Sequence, residues 1–157
     1  MLDIKRHILS NGLHVVVLPD PTLPIATFNL LYKVGSRNEN PTCTGLAHFI
    51  EHLMFTGSLN APDFDQELQR VGGENNAFTD DDITNYYINL PARNIETAFW
   101  LESDRMINLT LDESKIEVQR KVVMEEFKQR CLNQPYGDLA HIKTSLAYKV
   151  QPYRWPT

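Results

Sequence analysis

The stretch Thr44-Gly45-Leu46-Ala47-His48-Phe49-Ile50-Glu51-His52-Leu53-Met54-Phe55-Thr56-Gly57 constrains this chain more than any other. It reads as one helix, with Thr44 as its N-cap and Gly57 as its stop. Leu46, Phe49, Ile50, Leu53, Met54 and Phe55 cover most of its circumference. A helix that is apolar nearly all round is a buried helix. Its interior polar residues are His48, Glu51 and His52. Positions i and i+4 share a helix face, and i+3 lies beside them. Three polar groups are therefore desolvated together on one side, which is costly unless they bind something.

A metal ion removes that cost. Two neutral imidazoles on one face can hold one zinc ion, and the carboxylate between them can act on a water. For a lone histidine, a satisfied core residue would be the better reading. Catalytic zinc usually takes three protein ligands and leaves one position open. A second long helix offers the third ligand. Thr110-Leu111-Asp112-Glu113 looks like a capping box, and no Gly or Pro interrupts the segment from Glu113 to Leu132. Ile116, Val122, Val123 and Phe127 define its apolar stripe. At about 100° per residue, Glu126 falls on that stripe and Glu125 on the polar side. A carboxylate in an apolar stripe should be metal-bound or paired. Glu126 is thus the candidate ligand, the alternative being an ion pair with Arg120 or Arg130. A further alternative makes Glu51 the ligand and leaves Glu126 structural.

These residues carry a resemblance. The order H-x-x-E-H, reversed from the commoner H-E-x-x-H, is the inverzincin signature. The chain resembles the N-terminal domain of the M16 (pitrilysin or insulinase type) zinc metallopeptidases along essentially its whole length. Gly35-Ser36-Arg37-Asn38-Glu39 and Phe55-Thr56-Gly57-Ser58 flank the signature helix as in that family. Gly72-Gly73-Glu74-Asn75-Asn76-Ala77-Phe78-Thr79 resembles its edge-strand motif. Leu101-Glu102-Ser103-Asp104-Arg105-Met106 and Arg120-Lys121-Val122-Val123-Met124-Glu125-Glu126 resemble its next two helices. The closing Pro152-Tyr153-Arg154-Trp155-Pro156-Thr157 is also similar.

The resemblance implies an α+β domain, a mainly antiparallel sheet with helices packed on one face. It implies one zinc ion per chain held by His48, His52 and Glu126, with Glu51 as general base in peptide-bond hydrolysis. It implies that Asn76, Ala77 and Thr79 bind an extended peptide substrate along a strand edge; spacing alone would say only that this is an edge strand. Many relatives carry a Glu seven residues before the distal ligand. Here that position is Gln119, which would alter hydrogen bonding near the metal. Family subunits are far longer, in two similar halves, so residues 1–157 resemble most of one catalytic half with the C-terminal half absent. The isolated chain is then expected to be weakly active or inactive without that half or a partner subunit, and to self-associate as a homo-oligomer. The rival is a non-catalytic, peptide-binding or structural relative. Such relatives usually lose parts of the zinc motif, which is intact here.

Composition narrows the rest. One domain fits 157 residues, and a hydrophobic share of 42% can build a core. A net charge of −5 without a long basic run disfavours nucleic acid as a partner. No apolar run reaches transmembrane length, so no membrane partner is expected. Met1-Leu2-Asp3-Ile4-Lys5 leads into strand-like sequence and not into a signal peptide. A cytoplasmic protein is expected, or a periplasmic or exported one whose signal has been removed. Cys43 and Cys131 read as reduced thiols, Cys43 as a loop thiol without a role. Asp80-Asp81-Asp82 reads as a solvated turn and not a cation site. His7 and His14 read as ordinary strand residues, and His141 lacks a partner at ligand spacing.

The remaining organisation follows from turns and periodicity. Asn11-Gly12 joins strands near Lys5–Leu9 and His14–Leu18. A longer strand covers Ile25–Val34, and two more cover Asn75–Thr79 and Ile83–Leu90. Helices are expected from Asn60-Ala61-Pro62 to Gly72, from Asn94 to Asn108, and from Gly137 to Val150.

Overall fold

A computed structural model describes residues 3–157. Met1 and Leu2, the start of the stretch read as leading into the first strand, lie outside the described residues. Strands β1 (Lys5–Ile8) and β2 (His14–Val17) form an antiparallel hairpin with Lys5 opposite Val17. Three further strands, β3 (Ile25–Tyr32), β4 (Glu74–Thr79) and β5 (Thr84–Pro91), form a second antiparallel sheet in the order β3-β5-β4. The helices are α1 (Leu46–Leu53), α2 (Phe64–Arg70), α3 (Ile95–Asn108), α4 (Glu113–Phe127) and α5 (Leu139–Ala147). The α+β class read from the sequence is the observed one. No helix among the described residues is long and apolar enough to cross a membrane.

The sheet is two-faced, as strand periodicity requires. Phe28 pairs with Ile88 and Ala26 with Leu90. These side chains meet α2 and α3 in a core of Ala61, Phe64, Leu68, Ile88, Leu90, Ala98 and Leu101. The opposite face mixes polar pairs with exposed Ile25, Leu31 and Phe78. There the Thr27 hydroxyl donates to Asn89 Oδ1 at 2.7 Å, and the Asn89 amide donates to Glu74 at 3.2 Å.

A buried ion pair lies beneath this core. Arg105 and Glu102, one turn apart on α3, are each 2% exposed. Arg105 Nε and Nη2 donate to the two Glu102 oxygens at 2.9 and 2.6 Å. The guanidinium lies 4.3 Å from the Tyr86 ring centroid, 4.8 Å from Phe64 and 5.4 Å from Phe55. Its Nη1 makes no hydrogen bond, and the ring faces are its neighbours. Burial pushes Glu102 above the usual carboxylate range, with Arg105 opposing.

Several local expectations change. Helix α1 begins at Leu46, and its N-cap is Gly45 at φ +86°, not Thr44. Only glycine enters this left-handed turn without strain. Leu46 and Ile50 stay 47% and 46% exposed, so α1 is not buried all round in this chain. The sheet and α4 cover two of its sides and leave these two residues outside. Helix α2 starts after Asp63, whose carboxylate accepts from Gln66 N at 2.9 Å, so Pro62 precedes the cap. Helix α4 starts after Asp112, which caps Lys115 N at 2.9 Å, in place of the Thr110 capping box. The expected single helix through Leu132 ends at Phe127 and continues as a π-helical turn, Lys128–Leu132.

Candidate metal centre

The loop ahead of α1 is fixed before the helix begins. The N–H groups of Ser36 and Arg37 donate to the carbonyls of Asp80 and Asp81 at 3.1 and 3.0 Å. The Ser36 hydroxyl donates to Asp81 at 2.9 Å, and Arg37 pairs with Asp82 at 2.7 Å. Tyr153 donates to Asp82 at 2.9 Å, and Trp155 donates its indole N–H to the Ser36 carbonyl at 2.8 Å. The acidic turn is therefore a fastening point for two loops, and not merely solvated. Glu39, delivered by this loop, closes the N-terminus of α1. Its two oxygens accept from Gly45 N at 2.8 Å and Ala47 N at 2.7 Å. Gly45 has no side chain to do this, and a carboxylate also suits the positive end of the helix.

Helix α1 then presents His48, Glu51 and His52, and α4 brings Glu126 against them. His48 Nε2 and His52 Nε2 lie 3.2 Å apart. Glu126 Oε2 lies 3.3 Å from His52 Nε2 and 3.7 Å from His48 Nε2. These three residues form the one metal-competent group of three or more His, Cys, Asp or Glu among the described residues. Each is about four-fifths buried. Burial pushes His48 below the usual imidazole value; Glu126 opposes this and His52 adds to it. A neutral imidazole is the form that ligates metal.

The donor set fits zinc. Bonds of about 2.0–2.1 Å in a tetrahedral site put neighbouring ligand atoms about 3.3 Å apart. The observed edges of 3.2, 3.3 and 3.7 Å bracket that value. Two imidazole nitrogens at 3.2 Å repel each other unless a proton or cation lies between them. Glu126 Oε1 pairs with Arg130 at 2.7 Å, the alternative partner named from the sequence, while Oε2 faces the two imidazoles. Glu125 points away and pairs with Lys128 at 3.3 Å.

Glu51 is not one of the three clustered residues. It is 8% exposed, and its Oε2 accepts from the Thr79 hydroxyl at 2.5 Å. Thr79 and Ala77 lie on the β4 face toward α1, while Asn76 lies on the other face. Asn76 Oδ1 accepts from Ala77 N at 2.8 Å, on the strand edge away from β5. Gln119 is half-buried, two turns before Glu126 on α4. A cavity of about 820 Å³ opens beside the cluster, lined by His48, Glu126, Phe127, Cys131 and His141 among others. The sequence pattern assigns no role to Glu39 or to the Thr79–Glu51 contact, and Arg130 stands there only as an alternative partner for Glu126. For Arg130 the i+4 spacing from Glu126 was the signal; for Glu39 only the missing side-chain cap at Gly45 hinted at it.

The comparisons agree with one another. The insulinase family model (peptidase family M16) matches residues 14–145. The zinc protease PqqE of Helicobacter pylori is 40% identical over 94% of this chain and 34% of its own length. An uncharacterized zinc protease, YmxG, of Bacillus subtilis is 32% identical over 80% of this chain and 31% of its own. The crystal structure of a protease from Helicobacter pylori superposes with a TM-score of 0.93 at 38% identity, covering 99% of this chain and 38% of that one. The chain thus spans about a third of the length of these curated relatives. It belongs to the insulinase family, peptidase family M16.

Proposed function

We propose that this chain carries the zinc-binding half-site of an endopeptidase acting on peptides or unstructured polypeptides. The observation that carries this reading is the triangle of His48, His52 and Glu126 with edges of 3.2, 3.3 and 3.7 Å. These residues would hold one zinc ion per chain. When bound, zinc lowers the pKa of water and polarises the scissile carbonyl. Glu51 takes the proton of the attacking water and returns it to the leaving amine. The Thr79 hydroxyl holds Oε2 of Glu51, leaving Oε1 to receive that proton. Arg130 holds Glu126 by its other oxygen and so fixes the carboxylate that faces the imidazoles.

The substrate lies along the free edge of β4, which pairs with β5 on one side only. Main-chain pairing at Ala77 and Thr79 reads backbone and tolerates varied sequences. A pairing strand replaces the Asn76 side chain as the partner of Ala77 N–H. The relatives' greater length supports a second element, a C-terminal half or a partner subunit, that closes over the substrate. Exposed Phe99, Ile107 and Val150 favour a related reading, in which this portion alone is inactive and self-associates.

Zinc content per chain, measured by elemental analysis for the parent and for His48→Ala and Glu126→Ala, tests the reading. About one equivalent in the parent, lost in both variants, is expected. A folded parent that takes up no zinc, or a Glu126→Ala variant that keeps it, would sink the assignment.

A further inference from the structure

A second nucleophile–base pair lines the cavity beside the metal cluster. Cys131 Sγ lies 3.9 Å from His141 Nε2, so the histidine does have a partner, ten residues earlier in the chain. The His141 ring stacks on Phe127, with centroids 5.9 Å apart and planes 14° from parallel. This stacking fixes the imidazole edge that meets the sulfur. The π-helical turn Lys128–Leu132 sets the cysteine. In a continued α-helix, five residues would carry Cys131 roughly 140° off the Glu126 face. The i→i+5 winding brings it back toward that face, and both residues line the same cavity of about 820 Å³.

The pair offers two metal donors, whereas catalytic zinc takes three protein ligands and structural zinc four. Its chemistry is that of a thiol with a base in reach. Cys43 provides the contrast: it is exposed, and no imidazole pairs with its thiol among the described residues.

We propose that Cys131 is a thiolation site, at which its sulfur, assisted by His141, exchanges with a small disulfide whose adduct then occupies the cavity beside His48 and Glu126. His141 Nε2 takes the thiol proton as Sγ attacks one sulfur of the reagent. The Cys131 sulfur–sulfur bond forms as the reagent's own breaks, and the proton passes to the leaving thiolate. Cys131 is oxidised and the departing half of the reagent is reduced. A reducing thiol reverses the exchange. This proposal does not depend on peptidase activity.

The test treats the folded full chain with a neutral dipyridyl disulfide at neutral pH and follows the Cys43 and Cys131 peptides by mass spectrometry. Cys131 is expected to react at least about tenfold faster than Cys43 although it is less exposed, and His141→Gln to bring the two rates within about twofold. Zinc release to a chelator is expected to slow once Cys131 is modified, and Cys131→Ser to abolish that slowing. Equal or slower labelling of Cys131, or an advantage that survives His141→Gln, would overturn the proposal. If the glutamine variant merely loosens the segment, Cys131 becomes more accessible and reacts faster, which also counts against it. Protection of Cys131 by a second equivalent of zinc, lost in His141→Gln, would replace it with a metal-holding pair.

Discussion

Replacing Arg105 by Met tests how the core beneath α1 is held. Arg105 makes two hydrogen bonds to Glu102, at 2.9 and 2.6 Å, and both residues are 2% exposed. The substitution keeps an unbranched side chain of similar length against Phe55, Phe64 and Tyr86. It leaves Glu102 buried without its cation. Breaking a buried pair in this way costs about 3–5 kcal/mol, a large part of the roughly 5–15 kcal/mol that stabilises a domain. Replacing both partners, as in Glu102→Leu with Arg105→Met, removes the stranded charge and should cost less than half as much. The deficit of the single variant is pH-dependent, and its sign follows from Glu102. Burial raises the folded-state pKa of Glu102 above its ordinary value of 4.5, and Arg105 is what opposes that rise. Without Arg105 the rise is larger, so the folded protein holds a proton that the unfolded chain releases. Stability is then retained below pH 4.5 and lost as pH climbs through the raised value. Urea unfolding of the parent, both singles and the double, at neutral and at mildly acidic pH, reads all of this. A single-variant cost under about 1 kcal/mol, or a double as unstable as the summed singles, would refute the account of a desolvated pair.

Two further outcomes follow from the site. Glu51→Gln should retain zinc within about twofold while peptide hydrolysis by the full-length protein falls about 10²–10⁴-fold; parallel loss of zinc would return Glu51 to the ligand set. Glu39→Ala removes the carboxylate that accepts from Gly45 N and Ala47 N. It should cost about 1–2 kcal/mol in urea unfolding and weaken zinc binding through a frayed α1. Unchanged stability would show that water caps the helix equally well.

The parts of this structure that were legible in the sequence share one property: each breaks a regular pattern. His48, Glu51 and His52 interrupt an otherwise apolar helix. Glu126 interrupts an apolar stripe, so the helical period marks it as a carboxylate in need of a partner, and the family resemblance named the imidazole site as that partner. Strands β1 to β5 fall within two residues of their expected limits because turn residues and alternation mark both ends. What escaped acts through backbone groups or across loops, where no period exists to be broken. Glu39 reaches two N–H groups past a tight turn, so nothing in its neighbours announces a cap. The carbonyls of Asp80 and Asp81 hold the loop ahead of α1, and main-chain acceptors leave no trace in side-chain type. Cys131 and His141 meet because the helix changes its winding after Phe127, a change that hydrophobic periodicity does not record. Helix α1 illustrates the converse. Its all-round apolar character describes the cover it needs, and Leu46 and Ile50 remain half-exposed because the sheet, α4 and the turn Ser36–Asn38 that pack on α1 leave that side uncovered. Those two residues therefore mark the side of α1 on which a covering element would stabilise the candidate metal centre most.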